Sequence, residues 1–378
     1  MNTATDYWFT IEPYVYVCAT DKCALLYNSL DGVTLESDNT DVIVLLKEML
    51  REENCGVTLL KNERYNQNNI NAFIRELREK YMGDIIDVTF SKGKPVQILP
   101  YVNFFSKRNK KYIFGMIDNI LDTLSEISIH IDQTTDLTKL IPILKSLPDD
   151  LTFDIKEDLE KANDLLTILD LYSLPKKIIC SYTNPIVFDP VLRNNIIYKV
   201  SVHFPVDWQL WNESRQLLLN QDLSFEYVFN VTSLEDCREI EQLIEEYQIE
   251  KYQMKPVFTG DNISFFEENV FLTREDILST SISLKDFFSK QSINLHDFGK
   301  INIMPNGDVF ANINHPALGN IYTHSILEIV QKELERGNSW LRIRNQGPCN
   351  TCIYQWLCPS PSDYEIAIGR PNLCHVNI

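Results

Sequence analysis

The chain has 378 residues, 44% of them hydrophobic, and 35 Lys and Arg stand against 53 Asp and Glu for a formal charge of −18. That length exceeds one ordinary core and predicts two or three domains. The acidic balance argues against general nucleic-acid binding, which needs a basic stripe, and apolar runs such as Val42 to Leu46 are far too short for a membrane span.

Met1 to Tyr7 carries neither a basic n-region nor an apolar h-region, so a cytoplasmic protein without a signal peptide is expected. The next stretch reads as three short strands: Tyr14 to Ala19, Lys22 to Tyr27 and Val33 to Glu36, with turn chemistry at Asn28 and Asp31-Gly32. Thr40 is the expected cap of a helix from Asp41 to Leu50, with Val42, Leu45, Leu46 and Met49 on one face. A further helix comes after Gln67-Asn68-Asn69, carries Ile70, Phe73, Ile74 and Leu77 at helical spacing, and ends near Gly83. Three strands with a helical trio predict a winged-helix-like module over residues 1–92.

From about Pro95 strands and helices alternate, the signature of a β/α architecture. The predicted strands are Val96 to Phe104, Ile127 to Ile131, Leu151 to Ile155, Lys177 to Ser181, Ile197 to His203, Leu223 to Asn230 and Tyr252 to Thr259. The predicted helices include Leu137 to Leu147, Lys156 to Leu171 and Leu234 to Tyr247, the last opened by a Ser233…Asp236 capping pattern. These units are too few for a closed eightfold barrel, so residues 93–292 are expected to form an open, partial (β/α)6 barrel. No GxGxxG and no GxxxxGK[ST] supports nucleotide binding. Residues 293–378 begin with a hairpin, Lys300 to Met304 and Val309 to Asn312 around Pro305-Asn306-Gly307-Asp308. Beyond it lie a helix from Ser325 to Glu335 and a cysteine-bearing tail.

Nine cysteines in a chain without an export signal read as metal ligands or buried thiols rather than disulfides. Cys18, Cys23, Cys55, Cys180 and Cys237 are scattered and fit small buried hydrophobes. Cys349, Cys352, Cys358 and Cys374 are clustered. The CxxC pair puts two thiolates on one tight turn, Cys358 returns after a further turn and a half, and Cys374 closes the set. Prolines at 348, 359, 361 and 371 stiffen this segment, so a metal is expected to hold together backbone with little core of its own. A thiolate tetrad suits an iron–sulfur cluster or Zn²⁺. A zinc ribbon uses two matching CxxC knuckles and only one is present, which favours one [4Fe–4S] cluster, with Zn²⁺ the alternative. The six histidines show no HxxxH or HExxH spacing, and no Ser/His/Asp or Cys/His set can be assembled.

Ile301-Asn-Ile-Met-Pro-Asn-Gly-Asp-Val-Phe310, Leu318-Gly-Asn-Ile321 and Cys349-x2-Cys352-x5-Cys358 resemble a SPASM domain, the cluster-binding extension of radical SAM peptide maturases. The strand–helix repeat before them, with Pro256-Val-Phe-Thr-Gly-Asp-Asn262, resembles the partial radical SAM barrel, and the N-terminal unit resembles a PqqD-like RiPP recognition element. The tail, with Leu357-Cys-Pro-Ser-Pro-Ser362 and Pro371-Asn-Leu-Cys374, is most similar to the pseudo-radical-SAM proteins of Bacteroidales GG-leader peptide systems.

The departures from that pattern carry the functional expectation. The loop where radical SAM enzymes place CxxxCxxC is here Phe105 to Tyr112, without a cysteine, and none lies between Cys55 and Cys180. The resemblance therefore implies no S-adenosylmethionine cleavage. Ala311 and Ser362 stand where cysteines of a first auxiliary cluster would be, while the ligands of a second are retained. The resemblance thus implies a non-catalytic protein that binds a ribosomal precursor peptide through its leader, or a partner radical SAM maturase. A redox-active auxiliary subunit and a zinc-stabilised peptide scaffold are the alternatives. By the same resemblance a leader would add as a strand beside Val33, Thr34, Leu35 and Glu36 and pack against Phe73, Ile74, Leu77 and Arg78. Otherwise the chain's own barrel covers that edge.

Overall fold

A computed structural model describes residues 5–100, 120–147, 151–157, 176–183, 196–220 and 225–376. The N-terminal elements are β1 (Tyr7–Ile11), β2 (Val15–Ala19), β3 (Ala24–Asn28), β4 (Thr34–Ser37), α1 (Thr40–Met49), β5 (Val57–Leu60), α2 (Asn62–Tyr65), α3 (Asn68–Glu79) and β6 (Gly83–Asp87). They make two antiparallel three-stranded sheets, ordered β5-β1-β6 and β2-β3-β4. The sequence pattern does not predict β1, β5 and β6. Their pairing joins segments some fifty to eighty residues apart, such as Tyr7 with Leu60 and with Asp87, which local pattern does not reveal. Gly83, expected to close a helix, instead opens β6, and α3 is capped at Lys80. A Cβ on Gly83 would meet the Thr10 carbonyl oxygen at 2.5 Å, so the close approach of β1 explains the glycine.

The cap of α1 is Asn39, not Thr40. Its side chain accepts the N–H groups of Asp41 and Val42 at 3.0 and 3.3 Å, satisfying two of the helix's orphan donors. Val42, Leu45, Leu46 and Met49 then face inward with Ile70, Phe73, Ile74 and Leu77 of α3. Helix α1 packs against β2 and β3. All five residues of β3 are buried, so this sheet is covered on both faces.

The central elements are β7 (Glu126–Ile131), α4 (Leu137–Leu144), β8 (Thr152–Glu157), β9 (Lys176–Ser181), β10 (Ile196–Val202), α5 (Trp208–Asn220), β11 (Phe225–Val231), α6 (Leu234–Tyr247) and β12 (Tyr252–Pro256). After them come α7 (Ile263–Asn269), α8 (Arg274–Ser279), α9 (Leu284–Ser292), β13 (Lys300–Ile303), β14 (Asp308–Phe310), β15 (Gly319–Asn320), α10 (Ile326–Arg336) and α11 (Asp363–Ile368). One nine-stranded, mostly parallel sheet runs β12-β11-β10-β9-β8-β7-β13-β14-β15. Strands β7 to β12 lie side by side in chain order and all parallel, as repeated β/α crossovers require. Ile127, Ile129, Ile155, Ile178, Val200 and Phe229 fill its core. The capping pattern at Ser233 is formed, each partner accepting the other's N–H, at 3.1 and 3.2 Å.

The hairpin expected at 300–312 is present but not free-standing: β13 pairs in parallel with β7 and extends the large sheet. Residues 96–100 form no strand, contrary to the prediction from Val96, and the rest of that segment lies outside the described residues. Lys156, expected to start a helix, belongs to β8, and the remainder of that helix is also outside them. So is the 105–112 loop. Among the described residues no helix is long and apolar enough to cross a membrane.

Candidate metal centre

Local hydrogen bonds shape the tail around its cysteines. The N–H of Cys352 donates to the Cys349 carbonyl at 3.1 Å, closing one 3-10 turn over Cys349–Thr351. The N–H of Cys358 donates to the Tyr354 carbonyl at 3.0 Å, which brings the third thiol back. Cys374 arrives by tertiary pairing: it bridges Leu272 in parallel, and the His375 N–H donates to the Leu272 carbonyl at 2.9 Å. All four thiols are free of disulfides and line one small cavity, walled by Leu272, Ile277, Leu373 and Val376.

Burial pushes the Cys352 thiol up to about 11 and the Cys358 thiol up to about 12, and neighbouring cysteines of the set add to both shifts. Four negative sulfurs cannot share such a cavity without a cation, so a metal centre fits this donor set. The remaining contacts also suit thiolates. Arg344 Nη1 lies 3.8 Å from Cys349 Sγ, Asn372 Nδ2 lies 3.7 Å from Cys374 Sγ, and the Tyr354 N–H donates to Cys352 Sγ at 3.4 Å. Lys290, whose pKa burial pushes down against the pull of Cys358, donates to the Leu357 carbonyl at 2.9 Å. Among the described residues no group of three or more His, Cys, Asp or Glu already stands close enough to hold a metal ion.

Contrary to expectation, the tail does not lack a core. Cys352, Ile353, Tyr354 and Leu357 sit in one apolar cluster with Leu25, Leu35, Met49 and Phe73 of the N-terminal unit. Sequence reading misses Lys290, Arg344 and Asn372, since only the fold brings these separated positions to the thiols. His375, beside Cys374, engages the Glu267 carbonyl through Nε2 at 2.6 Å. Ala311 is buried in the main core. Beside it Asn312 Nδ2 donates to both Asp297 oxygens at 3.2 Å and also to Asp363, next to Ser362. A polar network, buried at Asn312 and Asp297 and reaching the surface at Asp363, thus occupies the region of those two positions. Trp211 is packed among Tyr182, Tyr227 and Tyr247, a core role.

The residues expected to meet a peptide divide into three groups. Strand β4 is an edge, with Val33 and Glu36 exposed and Leu35 buried. The Asn28 N–H donates to the Val33 carbonyl at 2.9 Å, and Leu26 stands opposite Leu35. Antiparallel alternation then turns the N–H and C=O of Leu35 toward β3 and those of Thr34 and Glu36 outward. Lys80 Nζ already takes the Thr34 carbonyl at 3.0 Å. Phe73, Ile74 and Leu77 are buried in the core, where α3 packs against α1, and Ile74 also borders a surface pocket that Arg78 lines. Arg78 pairs with Asp84 at 2.8 Å.

No protein-family profile matches the chain, and no curated protein aligns with it. Among solved structures, the chain is similar to native anSMEcpe with bound AdoMet, at 10% identity and a TM-score of 0.41, over 61% of this chain and 88% of that one. It is likewise similar to a histidine-tagged form of anSMEcpe with bound AdoMet, at 11% identity and a TM-score of 0.41, over 62% of this chain and 84% of that one. That likeness is one of outline, and the chemistry of this chain rests on its own residues.

Proposed function

We propose that this chain is a non-catalytic, radical-SAM-like protein that binds a ribosomal precursor peptide and assists its modification by a partner radical SAM maturase. In this reading Cys349, Cys352, Cys358 and Cys374 hold one [4Fe–4S] cluster, which when bound supplies a fold-stabilising and redox-capable centre. The carrying observation is the convergence of all four thiols on one cavity. A cluster is favoured over Zn²⁺ because a zinc ribbon pairs two CxxC knuckles, and Cys358 and Cys374 have fifteen residues between them rather than forming a second knuckle. The outward N–H groups of Thr34 and Glu36 support strand addition as the mode of peptide capture. The cysteine-free stretch between Cys55 and Cys180 supports the absence of S-adenosylmethionine cleavage. The donors directed at three sulfurs favour one second reading, a redox-active auxiliary subunit.

Anaerobic reconstitution followed by iron and sulfide analysis tests the centre, with about four irons per chain expected. Stoichiometric zinc in natively purified protein moves the reading to the peptide scaffold. Strong reductant with S-adenosylmethionine should give no 5′-deoxyadenosine above the enzyme-free control. For the peptide, labelled leader is titrated against Thr34→Pro, which deletes an outward N–H. Binding about tenfold weaker in a folded variant is expected. Undiminished affinity moves the site to the barrel mouth. Leu35→Pro is not a clean test, because its N–H faces β3.

A further inference from the structure

The N-terminal sheet and the cysteine tail meet through a short chain of polar contacts. Cys352 Sγ accepts the Tyr354 N–H at 3.4 Å. The Tyr354 hydroxyl donates to Glu36 Oε1 at 2.9 Å and accepts from Arg274 Nε, also at 2.9 Å. Arg274 Nη2 closes the triangle on Glu36 Oε1 at 2.7 Å. Glu36 belongs to β4, Arg274 opens α8, and Tyr354 lies two residues beyond a cysteine of the metal set.

The sheet pattern explains why this contact forms. Tyr16 stands opposite Tyr27, Cys18 opposite Leu25, and Leu25 opposite Glu36, so all five project from one face. That face is covered by distant chain: Tyr16 stacks on Phe287 at 4.2 Å, the Ile282 N–H donates to the Tyr27 hydroxyl at 2.8 Å, and the Cys18 thiol lies 4.0 Å from the Cys352 carbonyl. A shift of the 352–354 turn therefore has to move the phenol that anchors β4.

We propose that metal loading at the four cysteines and the seating of β4 in its sheet are linked equilibria, with Tyr354 the positioning residue between them. A coordinated Cys352 sulfur holds the turn, the turn aims the phenol, and the phenol with Arg274 holds Glu36. Linkage is reciprocal: a ligand that orders β4 tightens metal retention by the factor with which metal orders β4. The proposal rests on the metal reading above and does not require that the peptide reading be right.

Amide hydrogen exchange resolved at Leu35 and Ser37 tests it, since their N–H groups face β3 and exchange only when β4 opens. Full-length wild type and Tyr354→Phe are compared metal-free and after anaerobic loading with ferrous iron and sulfide, with iron counted in each sample. Loading should slow wild-type exchange at these amides by about fivefold and that of Tyr354→Phe by less than about twofold, the scale of one hydrogen bond. Val200 in β10 should be unaffected in both, which separates linkage from global stabilisation. Failure of wild type to take up iron overturns the metal reading and the linkage with it. Uptake without slower exchange overturns the linkage alone, and equal slowing in Tyr354→Phe removes Tyr354 from it.

Discussion

Arg344 sets its guanidinium between a thiol and a carboxylate, with Nη1 3.8 Å from the Cys349 sulfur and Nη2 2.8 Å from the Glu365 carboxylate. Its Nε donates to the Pro359 carbonyl at 2.6 Å, so backbone on the far side of Cys358 is tied to the same group. Arg344 and Glu365 are 8% and 5% exposed, which makes this a buried ion pair with a thiol as third member. Removing one member of such a pair is far more damaging than its net worth.

Arg344→Met is therefore expected to destabilise the protein by about 3 kcal/mol, because Glu365 is left with the longer contact to Arg342. Arg344→Lys should fall between the two, retaining charge but not the fork. Denaturant unfolding gives the first quantity. Iron retained after desalting shows whether the donor to Cys349 matters for the centre.

Serine at any of Cys349, Cys352, Cys358 or Cys374 should abolish stoichiometric metal retention. Cys180→Ser should not, although it will cost stability: that thiol is buried in the large core and pushed up to about 12 by burial. Metal analysis separates the groups. A chelator should lower the melting temperature of Cys180→Ser but not of Cys352→Ser, since only an intact site couples metal to folding.

Asp297 carries a pH signature. Burial pushes its carboxyl up to about 6, the nearby Asp363 adds to the shift, and the Asn312 amide and Arg342 oppose it. A raised acid binds its proton more tightly folded than unfolded. Its stabilising contribution is complete below the ordinary aspartate range and is lost as pH climbs through about 6. The stability of Asp297→Asn relative to wild type should therefore rise as pH climbs from about 4 to 7.5, whatever the variant loses at all pH values by replacing one acceptor of the Asn312 amide. Thermal melts across that range check the sign.

Phe287 is fully buried, stacked on Tyr16 and edge-on to Tyr27 at 5.9 Å. Phe287→Ala should cost about 3–5 kcal/mol and loosen the N-terminal unit from the tail. Limited proteolysis should then cut within residues 88–100 sooner than in wild type. An unchanged cleavage rate would show that other contacts suffice to hold the two parts together.

Much of this is readable along the chain. The β/α repeat announces parallel strands because each unit is built from neighbours in sequence, and Leu234–Tyr247 is the helix that Ser233 predicts. A further signal lies in β3, whose Ala24-Leu25-Leu26-Tyr27 run lacks the alternation of a half-exposed strand and marks a sheet covered twice. What covers it cannot be read, because Ile282, Phe287 and Tyr354 lie more than 250 residues away.

Sequence alone determined the chemistry available to this protein. Four clustered cysteines, and the lack of any between Cys55 and Cys180, are facts of composition and spacing, since thiolate chemistry needs only the residue type within reach of a turn. Tertiary structure alone decided where that chemistry sits. Cys374 reaches the other three through its bridge to Leu272, Arg344 comes to face Cys349, and Tyr354 meets Glu36 across 318 positions of chain. Such meetings depend on which apolar faces bury one another, a property of the whole packed core and of no local segment.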